Sequence, residues 1–331
     1  MIGFQQIYNF LTANLFLRNS KYYHDNCYNT DNRVVLFFKN LINPSRMLTK
    51  ILYSQVIPLP QSLRKSSYYQ PTDLGGGDYN YFSNELRKNG YILLPAYFRE
   101  EAKRIVERYA VYAENFEPSS HYYRKWIDPN DADIFQMMSN QFTLSILASF
   151  YRCQPFIRNF MAINQTYPIL SMHDALDKVD FNYQWHFDTA NQLTAHIFLT
   201  DVVNTESRML LAKKSHLRHH HTLSRKDRFY SEEYIRDHYD IIDCCGPAGT
   251  FFIFDSNSIH RLEMVKESFR SHLHLNFTPG NDMPTNFKND EEWGVFDAIP
   301  SLEGLNHLQK DAFRYIERLL KKVDPKINQY A

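Results

Sequence analysis

The feature that most constrains this chain is a set of stretches that alternate, residue by residue, between apolar and polar side chains. A period of two is the signature of a β-strand, whose successive side chains point to opposite faces. In Phe181–Asp188 one face holds Phe181, Tyr183, Trp185 and Phe187, and the other Asn182, Gln184, His186 and Asp188. In Leu193–Asp201, Leu193, Ala195, Ile197 and Leu199 oppose Thr194, His196, Phe198 and Thr200. In Phe269–Phe277, Phe269, Ser271, Leu273, Leu275 and Phe277 oppose Arg270, His272, His274 and Asn276. An antiparallel sheet with one dry and one wet face produces such a pattern. Solvent faces usually carry Lys, Glu and Thr, whereas these carry His, Gln, Asn and a single Arg, the inventory of a polar pocket.

One strand makes His-x-Asp a chelating pair, because alternation puts His186 and Asp188 on the same face. A pair of this kind is common by chance, so the rest of the chain must supply the context. A further imidazole is available at His260, with His272 and His274 as competitors. His260 is preferred because the turn over Asp255–Ser258 sets it at the start of a strand, one hairpin from Arg270. Two imidazoles and a carboxylate form the facial triad of non-haem Fe(II) sites, which leaves coordination positions open. The consecutive histidines at 219–221 cannot share one face and read as a solvated loop.

Around these strands the sequence predicts a mainly β fold with flanking helices (α+β). Further strands are expected at Tyr91–Leu94, Phe156–Thr166, Arg208–Ala212, Thr250–Phe254 and Ile259–Leu262. For Phe156–Thr166 the inward side stays open. Helices are expected at Tyr81–Lys88, closed by Asn89 and Gly90, at Arg99–Asn115, at Leu144–Tyr151 and at Glu303–Val323. The aromatic loops at 116–140 and 222–240 are expected to form a lid over the pocket, and the loop from Tyr167 to Val179, which holds His173 and Asp174, delivers the chain to the His-x-Asp strand.

Residues 1–72 read as a separate, helical, basic extension, and residues 73–331 as the main domain, joined by the glycine run DLGGGD. Up to residue 70, eight cations (Arg18, Lys21, Arg33, Lys39, Arg46, Lys50, Arg64, Lys65) stand against Asp25 and Asp31, which leaves six positive charges. The plain reading is helices packed over the main domain; the sharper one is a peripheral membrane or protein contact. The whole chain has a formal net charge of zero, which gives no global attraction to nucleic acid. The four cysteines, Cys27, Cys153, Cys244 and Cys245, lack zinc-ligand spacing and fit a reducing, cytoplasmic setting. Neither a signal-peptide pattern nor an apolar run near the ~20 residues of a membrane span is present.

Taken in order, His186 and Asp188, Ser215-His216, the run GPAGTFFIFD from Gly246 to Asp255, His260 and Arg270 resemble the phytanoyl-CoA dioxygenase family of Fe(II)/2-oxoglutarate oxygenases. NELRKNGYILLPAYFREE, residues 84–101, is similar to the opening segment of that family. The resemblance covers about residues 80–280 and implies a double-stranded β-helix, the jelly-roll or cupin-like barrel. It implies His186, Asp188 and His260 as ligands to Fe(II), with 2-oxoglutarate and O2 as co-substrates. Arg270 would hold the distal carboxylate of 2-oxoglutarate through its planar fork of donors. Lys213 and Lys214 depart from the Pro-Gly usual before the Ser-His motif, and Leu262 stands where a small hydroxyl residue often helps the co-substrate. Thr194, His196, Gln184 and Asn164 are the candidates by face for the second carboxylate contact. The related halogenases have Gly or Ala at the position of Asp188, so the resemblance implies hydroxylation or desaturation of a small-molecule or lipid-like substrate, with release of succinate and CO2. The competing readings are a cupin-type metalloenzyme of other chemistry and an inactive barrel serving as a binding module.

Overall fold

A computed structural model describes residues 78–118, 122–151, 154–159, 161–170, 183–188, 192–218, 229–279 and 301–323. The basic segment 1–72, its glycine linker, His173, Asp174 and the histidines at 219–221 lie outside the described residues.

The described residues open with helix α1 (Tyr79–Asn89), which stops where Gly90 turns left-handed at φ 86° and donates its N–H to Leu86 O. Strand β1 (Tyr91–Leu94) follows, then α2 (Arg99–Tyr109). The expected helix to Asn115 is cut short because Ala110 adopts φ 51°, and only a short 3-10 turn, Ala113–Asn115, continues it. Arg108 and the Tyr109 hydroxyl at that end are tied to Asp131. The supposed loop 116–140 holds β2 (Tyr122–Trp126) and α3 (Ala132–Met138). Asp131 caps α3 by accepting from the N–H groups of Asp133 and Ile134, and Ile134, Met137 and Met138 bury one face at helical spacing.

Helix α4 (Gln141–Tyr151) precedes β3 (Pro155–Ile157) and β4 (Ala162–Thr166), two strands where the sequence suggested one. Next come β5 (Trp185–His186), β6 (Leu193–Phe198), β7 (Arg208–Ala212), β8 (Phe229–Tyr230), α5 (Glu232–His238) and β9 (Ile241–Cys244). The last described elements are β10 (Phe251–Asp255), β11 (His260–Glu263), β12 (Arg270–Pro279) and α6 (His307–Val323). Helix α6 begins after a reciprocal cap: Asn306 Oδ1 accepts from Gln309 N at 2.9 Å, and Gln309 Oε1 accepts from Asn306 N at 3.0 Å.

Two antiparallel sheets result. One runs β1-β10-β6-β12-β4-β2, with β3 also paired to β12, and the other runs β8-β5-β11-β7-β9. From β4 to β7, and again from β10 to β12, successive strands alternate between the sheets. That winding is the double-stranded β-helix, as expected.

Alternation decides what each sheet buries. Leu193, Ala195 and Ile197 of β6 and Leu273, Leu275 and Phe277 of β12 share one apolar cluster with Leu86, Ile105, Leu147 and Phe313 of the helices. The helices therefore cover the outer face of the larger sheet. On the smaller sheet, Trp185 and Leu210 face outward and pack with Tyr234 and Ile235 of α5. Of the expected lid 222–240, residues 222–228 lie outside the described residues, and 229–238 form an outer layer on this sheet in which Tyr230, Tyr234 and Ile235 are buried. Between the sheets, Phe198, Leu211, Phe252 and Phe254 fill the barrel together with Cys244. Burying each such ring contributes roughly 1.5–3 kcal/mol. Cys244 and Cys245 are unpaired thiols. No helix among the described residues is long and apolar enough to cross a membrane.

Candidate metal centre

Strands β5 and β11 run antiparallel with His186 directly opposite His260. Their imidazole centroids lie 4.5 Å apart, with the planes inclined at 52°. Both side chains point into the barrel, since their neighbours Trp185 and Ile259 belong to the outer cluster. Asp188 follows two residues after His186, and its N–H donates to Ser256 O at 2.7 Å. The three side chains bring one ligating atom each to within 4.8 Å of one another.

Hydrogen bonds set the tautomers. His186 Nδ1 lies 2.7 Å from Gln184 O, and His260 Nδ1 lies 2.8 Å from Ser258 O. A carbonyl only accepts, so each Nδ1 carries a hydrogen, which directs the lone pair of a neutral ring to Nε2. Two neutral imidazole lone pairs and a carboxylate are the donor set a divalent first-row metal takes, and main-chain carbonyls are common outer partners of such ligands. The residues present therefore fit Fe(II).

The surroundings of His260 are rigidly built. Ser215 Oγ donates to Ala212 O and accepts from Ile259 N, both at 2.7 Å, which stitches the end of β7 to the start of β11. His216 Nε2–H donates to Arg87 O at 2.9 Å, and Asp255 N donates to Gly90 O at 2.9 Å. The Ser-His motif is thus scaffolding beneath the distal histidine. The Phe254 ring lies 5.0 Å from that of His260, almost edge-on.

The other residues singled out in the sequence sit as follows. Arg270 is buried at 3% exposure on β12, on the interior face with His272. Thr194 Oγ1 donates to Asn276 Oδ1 at 2.8 Å and lies 3.0 Å from Ser256 Oγ, so it is engaged in a local network. Asn164 is buried and accepts from Arg124 Nε at 2.9 Å. Gln184 departs from the expected pocket face: its side chain is exposed, and its carbonyl serves His186 instead. The alternation fails there because Tyr183 packs with Leu262 and Met264, away from the cluster of Trp185 and Phe187.

His196, His272 and His274 gather on the larger sheet, across the barrel from the His186–His260 pair. Their ligating atoms also lie within 4.8 Å of one another. Burial drives all three imidazoles toward the neutral form. His196 and His272 are pushed well below the ordinary range, by burial first and then by His274 and Arg270 beside His196 and by Arg270 beside His272. His274 is pushed down to about 3 by burial and Arg124. The sequence places His272 and His274 on a pocket face and makes them rivals of His260 as the third ligand, not a cluster with His196. Their shared face with Arg270 was visible in the alternation, but the contribution of Arg124, from a strand not anticipated, was not.

No protein-family model and no curated protein matches this chain. Solved structures do. The epimerase SnoN in complex with Fe3+, alpha ketoglutarate and nogalamycin RO aligns over 61% of this chain and 84% of its own, at 10% identity and a TM-score of 0.44. EctD from S. alaskensis aligns over 64% and 80%, at 12% identity and a TM-score of 0.43. The non-heme monooxygenase ThoJ aligns over 75% and 99%, at 13% identity and a TM-score of 0.44.

Proposed function

We propose that this chain is an Fe(II)- and 2-oxoglutarate-dependent oxygenase that hydroxylates or desaturates a small-molecule or lipid-like substrate. The observation that carries the reading is the convergence of His186, Asp188 and His260 inside the barrel, with both Nδ1 positions satisfied by main-chain carbonyls. These three side chains would hold the metal. Arg270 would take the distal carboxylate of 2-oxoglutarate; its burial keeps that charge-assisted contact away from competing water. Asn164, His196 and Thr194 line the same sheet, and Gln184 stands at the protein surface beside His186. When bound, Fe(II) with 2-oxoglutarate and O2 supplies the oxidising chemistry, with succinate and CO2 as co-products. The carboxylate at position 188 fits hydroxylation or desaturation rather than halogenation. The chain's own work is to fix the ligand tautomers, to hold a cation for the co-substrate, and to keep the barrel dry with Phe198, Phe252 and Phe254.

The test is an anaerobic titration of metal-free protein with Fe(II) and then 2-oxoglutarate, followed by the visible metal-to-ligand charge-transfer band. The expected result is a band in the wild type, a loss of iron binding in Asp188→Ala, and weakened co-substrate binding in Arg270→Ala. Bound metal without a band would instead promote a cupin-type enzyme of other chemistry. Absence of metal binding would leave a binding module.

A further inference from the structure

Two clusters of ligating side chains face one another across this barrel, and among the described residues only the His186–Asp188–His260 cluster has imidazoles tethered to main-chain carbonyls. In the second, the His196 ring lies 4.2 Å from that of His272 and 5.3 Å from that of His274. Phe254 stands between the clusters, 5.6 Å from His196 and 5.0 Å from His260. Buried His196 and His272 with half-buried His274 could take a second cation or could present N–H groups to an oxygen. The tautomer of His272 decides between these.

The deciding chain starts at Arg124 on β2. Its Nε–H donates to Asn164 Oδ1 at 2.9 Å. A guanidinium has no acceptor, so the amide must keep its oxygen toward Arg124. The amide nitrogen then faces His272, with Asn164 Nδ2 3.4 Å from His272 Nε2. An amide NH2 only donates, so Nε2 accepts and holds the lone pair. The neutral imidazole must then carry its hydrogen on Nδ1. That Nδ1 is buried and has no hydrogen-bond partner among the described residues, on a side chain 2% exposed. A buried N–H without an acceptor is unfavourable, and its natural complement is an oxygen brought by a ligand. A cation would need a lone pair at that nitrogen, and Arg124 and Arg270 both act on His272 with positive charge. Arg270 lies two residues before His272 on the same strand and face.

We propose that Arg124 and Asn164 are positioning residues that set the His272 tautomer, and that His272 Nδ1–H, beside Arg270, donates to a carboxylate oxygen of the dicarboxylate co-substrate. This rests on the oxygenase reading above. His196 Nδ1, also buried without a partner among the described residues, lies in the neighbouring ring and extends the same polar surface.

The tautomer is read on metal-free, 15N-labelled full-length protein by long-range 15N–1H imidazole correlation, with His272 assigned from His272→Asn. The wild type is expected to show the Nδ1–H form. Asn164→Asp, which turns an oxygen toward Nε2, is expected to show the Nε2–H form. In the anaerobic titration, His272→Leu and Asn164→Asp should weaken 2-oxoglutarate binding at least tenfold while leaving Fe(II) binding unchanged. His272→Asn, which keeps an N–H near the position of Nδ1, should stay within threefold of the wild type. An Nε2–H tautomer in the wild type, or unchanged 2-oxoglutarate affinity in His272→Leu with a normal band, overturns this inference alone. So does binding of two equivalents of Co(II) per chain that falls to one in His272→Leu. A wild type that binds Fe(II) but gives no band with 2-oxoglutarate overturns both the oxygenase reading and the ligand named here.

Discussion

Gly90→Ala offers a quantitative check on how the helical layer supports the distal histidine. Gly90 closes α1 at φ 86°, and a Cβ built there would meet His216 Nδ1 at 2.5 Å and Ser258 Oγ at 2.6 Å. The left-handed backbone alone costs a non-glycine residue about 1 kcal/mol. The Ser258 hydroxyl can rotate away, but the His216 ring is held by its bond to Arg87 O, and giving that bond up costs about another 1 kcal/mol. Gly304 is the internal control: it has φ 81° and nothing within 4 Å of its built Cβ, so Gly304→Ala carries only the backbone cost. Urea unfolding should therefore place Gly90→Ala about 1 kcal/mol below Gly304→Ala, with an unchanged denaturant slope. The strain has a second readout, because Ser258 O is the carbonyl that orients His260. Fe(II) affinity should drop roughly tenfold in Gly90→Ala, as for other losses of an outer partner, and not in Gly304→Ala. Equal destabilisation by the two substitutions would refute the steric argument. Equal iron affinity would refute the link to His260.

Three further outcomes follow from the site. His186→Ala and His260→Ala should each lower Fe(II) affinity on the order of 100-fold or more, measured by anaerobic titration, with the far-UV circular dichroism of the wild type. Arg270→Ala should cost about 3 kcal/mol of 2-oxoglutarate binding, on the order of 100-fold, and Arg270→Lys should recover only part, because a point charge cannot replace the fork. The pH dependence has a definite sign. Unfolded, His196, His272 and His274 protonate near the ordinary value of 6.5; folded, all three resist protonation, His274 down to about 3. Their contribution is fully present above pH 6.5 and is lost as the pH falls, at about 1.4 kcal/mol per pH unit for each imidazole. A urea midpoint that does not move between pH 7 and pH 5 would sink that account, and His274→Asn should flatten the slope by one imidazole's share.

Alternation makes the barrel legible in the sequence alone. The strands of Leu193, Arg208 and Arg270 stand close to where their side chains predict, because each has one face on an apolar layer and one in the cavity. The pairing of His186 with His260 was legible only in outline, since antiparallel register depends on contacts between distant segments. What stayed hidden had physical causes. Strand β2 is an edge strand with Tyr123, Arg124 and Lys125 exposed, so it lacks an apolar stripe. Helix α3 is two turns long, and its signal was the Asp131 cap followed by Ile134 and Met138 rather than a sustained period. Gln184 misled because the period-two rule assumes a continuous strand, and the chain bends just before Trp185.

The antiparallel pairing of His186 with His260 has one more consequence, which is geometric. A local two-fold axis passes between the two imidazoles, and each ring is tethered to the carbonyl two residues upstream in its own segment. That pseudo-symmetry relates position 188 to position 262. Asp188 occupies one of these and Leu262 the other, so a single carboxylate breaks the symmetry of the pair. The handedness of the triad is written in that one difference. At the Leu262 position the chain presents hydrocarbon, packed with Met264 and Tyr183.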